Sequence, residues 1–413
     1  MLDESLKERM EAYRVLLQWQ KGGSFIKEAG LSPFAMELAL GVCRRHLFLQ
    51  YFVKTLVKKM PSLEVCTVLE MGLFQMFFTE VPDHAAVATT VELVKAASLG
   101  EGSARFMNAV LHAARKSGLP ALPPQKVRRV SIENSVPEWL VRRWFDIYGG
   151  TRAEALAKAT LERPVEWIRV NLQKTSAPVL AQKLGLTGAS ILYDRYIQVP
   201  ADAKLKPILE SESFAKGEFS MQNPSAYEVV KLLDLKPGLK VWDACAAPGG
   251  KAALMAELDS SLDILASDVS ETRVLKMHDL VDRLGLTNVR VECRDVLGDV
   301  TSTFDRILLD VPCSNMGVIT RRPESVYRIT PESVKELAEL QYRLLESASQ
   351  ALTAGGIVVY ATCSPDPEET TKVINRFVKE HPEFEKAGEP VYPGLDDSRF
   401  DGFFAQALRL KQA

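Results

Sequence analysis

The chain has 413 residues, of which 46% are hydrophobic and 25% charged, and its formal net charge is −2. That composition is ordinary for a globular protein with a large core, and the length suits about two to four domains of roughly 100–200 residues each. Near-neutral charge excludes a chain that holds nucleic acid by bulk positive charge. Six scattered cysteines exclude a disulfide framework.

Residues 1 to about 117 read as all helix. Apolar residues recur at intervals of three and four, as in Val65, Leu69, Leu73 and Met76-Phe77, the stripe expected of helices packed on a shared core. Val81-Pro82-Asp83-His84 and Leu99-Gly100-Glu101-Gly102 mark helix ends. The start, Met1-Leu2-Asp3-Glu4-Ser5-Leu6-Lys7, lacks an apolar signal core, and no run of eighteen apolar residues occurs. The expectation is a cytoplasmic protein with no membrane span, and a monomer by default. Residues 1–150 carry 19 Lys+Arg against 15 Asp+Glu. Any phosphate contact would therefore use local clusters such as Arg44-Arg45, Lys126/Arg128/Arg129, Arg142-Arg143 or Arg321-Arg322. Each alone reads as a solvated face.

Gly118-Leu119-Pro120-Ala121-Leu122-Pro123-Pro124 is a linker, because three prolines in seven residues cannot continue a helix. It predicts a first domain over 1–120. A small α+β domain is expected over 125–220, with helices near Pro137–Trp144 and Ala153–Leu161 and strand-like pieces at Trp167–Asn171 and Ile191–Tyr193. From about 221 the pattern becomes strand and helix in alternation. Strands are expected near 239–244, 263–268, 289–294, 304–309 and 356–361. A helix over 331–352 has Thr330 as cap, Pro331 at its first position and Gly355-Gly356 as stop. This predicts an α/β Rossmann-like domain over 221–413 with a parallel, doubly wound sheet.

Three strand ends in that domain carry chemistry. The first runs into Cys245-Ala246-Ala247-Pro248-Gly249-Gly250-Lys251. This turn fails the dinucleotide G-x-G-x-x-G pattern. It also fails the P-loop pattern, since Ala252 follows the lysine where Ser or Thr would be needed. Small residues still let a ligand approach the backbone. Asp268 ends the second strand, placed to accept from ribose hydroxyls, and Asp295 follows the third, placed near an adenine amino group. A nucleoside cofactor without phosphates fits, and S-adenosylmethionine is the natural candidate. Ligand spacing gives no metal site.

Cys313 lies in Asp310-Val311-Pro312-Cys313-Ser314 and Cys363 in Tyr360-Ala361-Thr362-Cys363-Ser364-Pro365. Each follows an apolar strand, so two neighbouring strands deliver two thiols to the cleft beyond their carboxyl ends. Cys43, Cys66 and Cys293 lack this setting and read as packing residues.

These motifs together resemble the RNA cytosine-C5 methyltransferases, and within them the RsmB/Sun (Fmu) type that acts on bacterial 16S ribosomal RNA. The resemblance extends along the chain. Val81–Val87 and Phe106–Leu111 look like that type's NusB-like helical RNA-binding domain, Arg169-Val170-Asn171 like its middle domain, and Asp401-Gly402-Phe403-Phe404 like its C-terminal signature. It implies small-subunit ribosomal RNA as partner, S-adenosylmethionine as cofactor and 5-methylcytosine as product. It also implies Cys363 as nucleophile at cytosine C6, Cys313 as the group that assists its release, and Asp310 against the cytosine edge near N3. The cofactor would lie on Cys245 to Lys251, Asp268, Asp295 and Asp310. A thiolate is needed because C5 is a poor nucleophile until addition at C6 makes the ring enamine-like, and the base must leave its stack to be reached. Asn315-Met316, Gln222–Ala226 and Val326-Tyr327-Arg328 depart from the usual family residues. Two alternatives stay open: the same chemistry on transfer RNA or another ribosomal position, and a non-catalytic RNA-binding assembly factor.

Overall fold

The computed structural model describes all residues except 1–3, 24–25, 299–301, 395–396, 398 and 413, so Met1–Asp3 of the charged start lie outside the described residues. The chain forms two compact units: residues 1–163 with 319–328, and residues 164–318 with 329–413.

The first unit is helical. Helices at Glu4–Gln20, Pro33–Arg44, His46–Leu56, Leu63–Phe78, Asp83–Ala96 and Glu101–Ser117 surround one core. Ser32 and Ser62 cap two of them, each side chain accepting from a backbone N–H three residues on. Helix Leu63–Phe78 is buried along almost its whole length, which places it at the centre of the bundle. Gly41 is required where helix Pro33–Arg44 crosses it, since a Cβ there would overlap the Phe74 ring. Helices Lys126–Asn134, Glu138–Tyr148 and Gly150–Ala159 belong to this unit as well. Tyr327 packs edge-on to Trp19 and His46, with ring centroids 5.4 Å from each. Its buried hydroxyl lies 3.1 Å from the Cys43 carbonyl and 2.8 Å from that of Ser135. The family departure at this position is thus a core residue.

The second unit holds two sheets. The smaller contains β1 (Trp167–Val170), β2 (Ile191–Leu192), β3 (Tyr196–Gln198) and β4 (Phe219–Met221), antiparallel in the order β2-β3-β1-β4. Ile168, Val170, Ile197 and Phe219 pack on Leu180 and Ala181 of helix Ala177–Lys183. Two of these strands, β3 and β4, were not expected from sequence. Each is only three residues long, too short for alternation to register.

The larger sheet contains β5 (Lys240–Asp243), β6 (Asp263–Asp268), β7 (Val289–Cys293), β8 (Phe304–Asp310), β9 (Leu352–Thr362), β10 (Phe384–Lys386) and β11 (Phe404–Leu410), in the order β10-β11-β9-β8-β5-β6-β7. Strands β9, β8, β5, β6 and β7 are parallel, as the alternating pattern predicts. Strands β11 and β10 are antiparallel additions, so the sheet is mixed. Its two faces are covered by separate apolar clusters, one around Leu254, Met255 and Met277, the other around Leu345, Ala348 and Phe377. Gly355-Gly356 do not stop the preceding helix, which ends at Ser349. They lie inside β9, where Gly355 has φ +76° and the β8–β9 register shifts. No helix among the described residues is long and apolar enough to cross a membrane.

One buried ion pair ties the small sheet to the turn after β5. Arg169 of β1 is 0% exposed, and its guanidinium donates to both Glu257 carboxylate oxygens at 2.8 and 3.0 Å. Its third nitrogen donates to Gln222 Oε1 at 2.6 Å and to the Gly250 carbonyl at 2.7 Å. Removing one partner strands the other without water. Arg169→Met is therefore expected to cost about 3–5 kcal/mol, read as a lower urea midpoint, and Arg169→Met with Glu257→Leu to recover much of it.

Candidate functional site

In the large sheet the strand order reverses between β5 and β8. Ligands in open α/β sheets bind beyond the carboxyl ends at such a switch point. Asp243, Asp268, Asp310 and the Thr362-Cys363 step all stand at these ends.

The turn after β5 is built from backbone contacts. Ala246 N–H donates to the Ser267 carbonyl at 2.8 Å and Gly249 N–H to that of Ala246 at 2.7 Å. The Ala247–Pro248 peptide is cis, and Gly249 has φ +96°, which only glycine adopts freely. Helix Gly250–Leu258 starts at once. Arg273 donates to the Ala247 carbonyl at 2.9 Å and pairs with Asp268 at 3.3 Å. Asp268 is itself 3% exposed. Asp295 lies beyond β7 on the surface, and its carboxylate accepts from Leu297 N–H at 2.9 Å. The Cys245 thiol is pushed up by burial and by the neighbouring carboxylates.

Asp243 was not singled out from sequence. It is 1% exposed, yet both its carboxylate oxygens lack a hydrogen-bond partner. Burial raises its pKa to about 7, opposed by Lys251 and by the nearby Ala252 backbone N–H, and reinforced by Asp310 and Asp268. A buried carboxyl group without a donor is costly unless something cationic or hydrogen-bonding occupies the space beside it. This orphaned acid, the small-residue turn and buried Asp268 together fit an amino-acid-bearing nucleoside.

The thiol site lies next to the turn. Lys251 Nζ is 2.5 Å from Asp310 Oδ2 and sits over the Phe403 ring at 4.8 Å. Burial opposes the Lys251 charge, but Asp310 outweighs it and the ammonium is held above its ordinary pKa. Cys313 Sγ and Cys363 Sγ are 2.9 Å apart. The Cys363 thiol also donates to Asn315 Oδ1 at 3.3 Å, while Asn315 Nδ2 donates to the Cys313 carbonyl at 3.1 Å. Asn315 thus spans both cysteine loops from a left-handed conformation, φ +61°. The contact with Cys313 and burial push the Cys363 thiol well up, and Lys251 pulls it back. Close by, Gly317 N–H donates to the Cys363 carbonyl at 2.8 Å and Gly402 N–H to the Gly317 carbonyl at 2.9 Å. A side chain at Gly317 would overlap Gly402, so both glycines are needed for this approach.

The structure therefore brings Lys251, Asp310, Cys313 and Cys363 together and sets Cys245 and Asp268 beside them. It leaves Asp295 at the sheet edge. Cys43 and Cys66 are buried as expected, but Cys293 is exposed at the end of the edge strand β7. The approach segment is also accounted for. Asn223 Oδ1 accepts from Ser225 and Asp401 N–H, holding the C-terminal signature against the start of the domain.

Comparison with known proteins matches three family models: 16S rRNA methyltransferase RsmB/F over residues 230–398, the NusB family over 7–116, and the RsmF/B-like ferredoxin-like domain over 136–197. The chain is 34% identical to the probable ribosomal RNA small subunit methyltransferase B of Bacillus subtilis (strain 168), covering 98% of this chain and 96% of that protein. It is 31% identical to ribosomal RNA small subunit methyltransferase B of Klebsiella pneumoniae (strain 342), covering 90% and 88%. The crystal structure of PH0851 has the same fold, with a TM-score of 0.77, 22% identity and coverage of 97% and 98%. With this likeness running the length of the chain, the protein belongs to the RsmB/F family of 16S ribosomal RNA methyltransferases.

Proposed function

We propose that this protein methylates C5 of a cytosine in 16S ribosomal RNA through a covalent bond from Cys363 to C6. The observation that carries this reading is the pair of thiols at 2.9 Å, delivered by neighbouring strands beside the Lys251–Asp310 ion pair. S-adenosylmethionine is the family's methyl donor, and supplies an electrophilic methyl group when bound. Asp243, Asp268 and the Cys245–Lys251 turn would hold it, with Asp295 at the outer end. Residues 1–120 would grip RNA; of 125–220, the helices up to 163 fall in the same unit as that domain and the small sheet in the same unit as the catalytic domain at 221–413.

The chain's own groups then divide the work. The Cys363 proton must leave before the sulfur attacks, because the thiolate is the nucleophile. Lys251 favours that loss; burial, Cys313 and Asp310 resist it. Asn315 orients the thiol by accepting its hydrogen. As sulfur bonds to C6, charge moves onto the ring toward N3, where Asp310, having taken up the proton that Cys363 gave up, can hand it on. C5, now nucleophilic, takes the methyl group and for a moment bears both methyl and hydrogen. Removal of that proton, assisted by Cys313, lets the C5–C6 double bond re-form as the C6–sulfur bond breaks.

Three outcomes are expected. Cys313→Ala traps a protein–RNA adduct that survives denaturation on a gel, while Cys363→Ala gives no adduct and lowers product by on the order of 10³-fold. Single-turnover rates rise with pH across the range below the ordinary thiol pKa of 9.0, because Cys363 titrates above it. Calorimetric affinity for S-adenosylmethionine strengthens as pH rises through about 7, where Asp243 gains its charge. Asp243→Asn flattens that dependence.

A further inference from the structure

Beneath the two cysteine loops lies an acid that the reaction above does not use. Glu369, in the short turn Pro367–Glu369 after β9, is 0% exposed. Its carboxylate accepts from Ser314 N–H at 2.9 Å, from the Ser314 hydroxyl, and from Gln341 Nε2 at 3.0 Å. The same Gln341 nitrogen lies 2.9 Å from the Pro312 carbonyl. Ser364 Oγ lies 3.2 Å from Ser314 Oγ and donates to it, because the Ser314 proton is given to Glu369. The buried Tyr360 hydroxyl closes the set, 2.6 Å from the Glu369 carbonyl and 3.1 Å from Gln341 Oε1.

Four contacts in this network fall on a residue flanking one of the two thiols. Pro312 and Ser314 bracket Cys313; Ser364 follows Cys363; Glu369 and Gln341 join them from below. A carboxylic acid is a costly choice for a fully buried hub whose donors are all neutral, and apolar packing would fill the volume at less expense. What the acid supplies is an acceptor strong enough to fix a backbone N–H and a hydroxyl of one residue together. Fixing Ser314 fixes the direction of the preceding Cys313 side chain.

We infer that Glu369 is a positioning residue: through Ser314 it sets where Cys313 Sγ stands relative to Cys363 Sγ, and so controls release of the methylated base. Its kinetic consequence rests on the covalent reading above; its geometric one does not. Loosening Ser314 lets Cys313 swing from its 2.9 Å contact without touching the cofactor turn. Release then slows while attack continues.

The test compares Glu369→Ala, Glu369→Gln and Cys313→Ala in the full chain, with two readouts. One is the rate at which diamide, itself reduced to the hydrazine, oxidises Cys313 and Cys363 to a disulfide, followed by peptide mass spectrometry. The other is the amount of denaturation-resistant adduct with unmodified small-subunit rRNA. Glu369→Ala should slow disulfide formation at least tenfold and accumulate adduct, with affinity for S-adenosylmethionine within twofold of the parent. Glu369→Gln keeps the side-chain shape and one acceptor oxygen, and should restore both in part. A slowed disulfide with no adduct in either Glu369→Ala or Cys313→Ala would uphold the positioning role and defeat the covalent mechanism instead. Unchanged disulfide rate and turnover in Glu369→Ala would overturn the inference. So would loss of cofactor affinity in step with activity, since that marks a general structural part.

Discussion

The site depends on the parallel pairing of β8 with β9. Their register sets Leu309 beside Tyr360 and Asp310 beside Ala361. Cys313 follows three residues after Asp310, and Cys363 two residues after Ala361. Parallel neighbours end on the same side of a sheet, so the two thiols meet because the strands are adjacent and in register. A slip of the register would separate them. The wrapping is reinforced from outside: β11 pairs antiparallel along β9 from Thr362 to Ile357 and brings Phe403 and Gly402 back to the same strand end. The tight Gly317–Gly402 approach then closes the floor under Cys363.

Charge gathers at the same place. Asp243, Asp268 and Asp310 converge at the carboxyl edge, and Lys251 and Arg273 are the cations set among them. Like charges held close in a poorly hydrated site cannot all ionise without cost. Asp243 carries that cost, with a pKa raised to about 7, while Asp310 is compensated directly by Lys251. A cationic ligand entering beside Asp243 would relieve the excess. The Cys363 thiol sits in the same field and is held protonated by burial and by its partner thiol. On the proposed mechanism this keeps Cys363 latent until substrate and cofactor alter the balance around it.

Much of this was legible in the residues. Uninterrupted apolar runs gave the parallel strands, and the motifs after them named Cys313, Cys363, Asp310 and the glycine turn, because strand ends in α/β sheets carry function. Other features left weaker traces. Strand β11 looks in sequence like any short apolar segment, and only pairing decides its direction. Gly355-Gly356 resembled a helix stop because a left-handed glycine serves equally in a strand bulge. In sequence Asp243 is one residue of the strand expected over 239–244. Its importance lies in missing partners, which sequence does not show. Glu369 and Gln341 sit 28 residues apart in the chain, and nothing local marks either as part of one network. Arg169 belonged to a recognised signature, but its role as a tie to Glu257 and Gly250 needed the fold.

The most direct test of the account is to incubate the purified chain with S-adenosylmethionine and unmodified 16S ribosomal RNA, then map 5-methylcytosine along the transcript beside a Cys363→Ala control. The account predicts one new 5-methylcytosine at a defined position, absent from the control. Methylation at another atom or base, or an undiminished mark with Cys363→Ala, would contradict it.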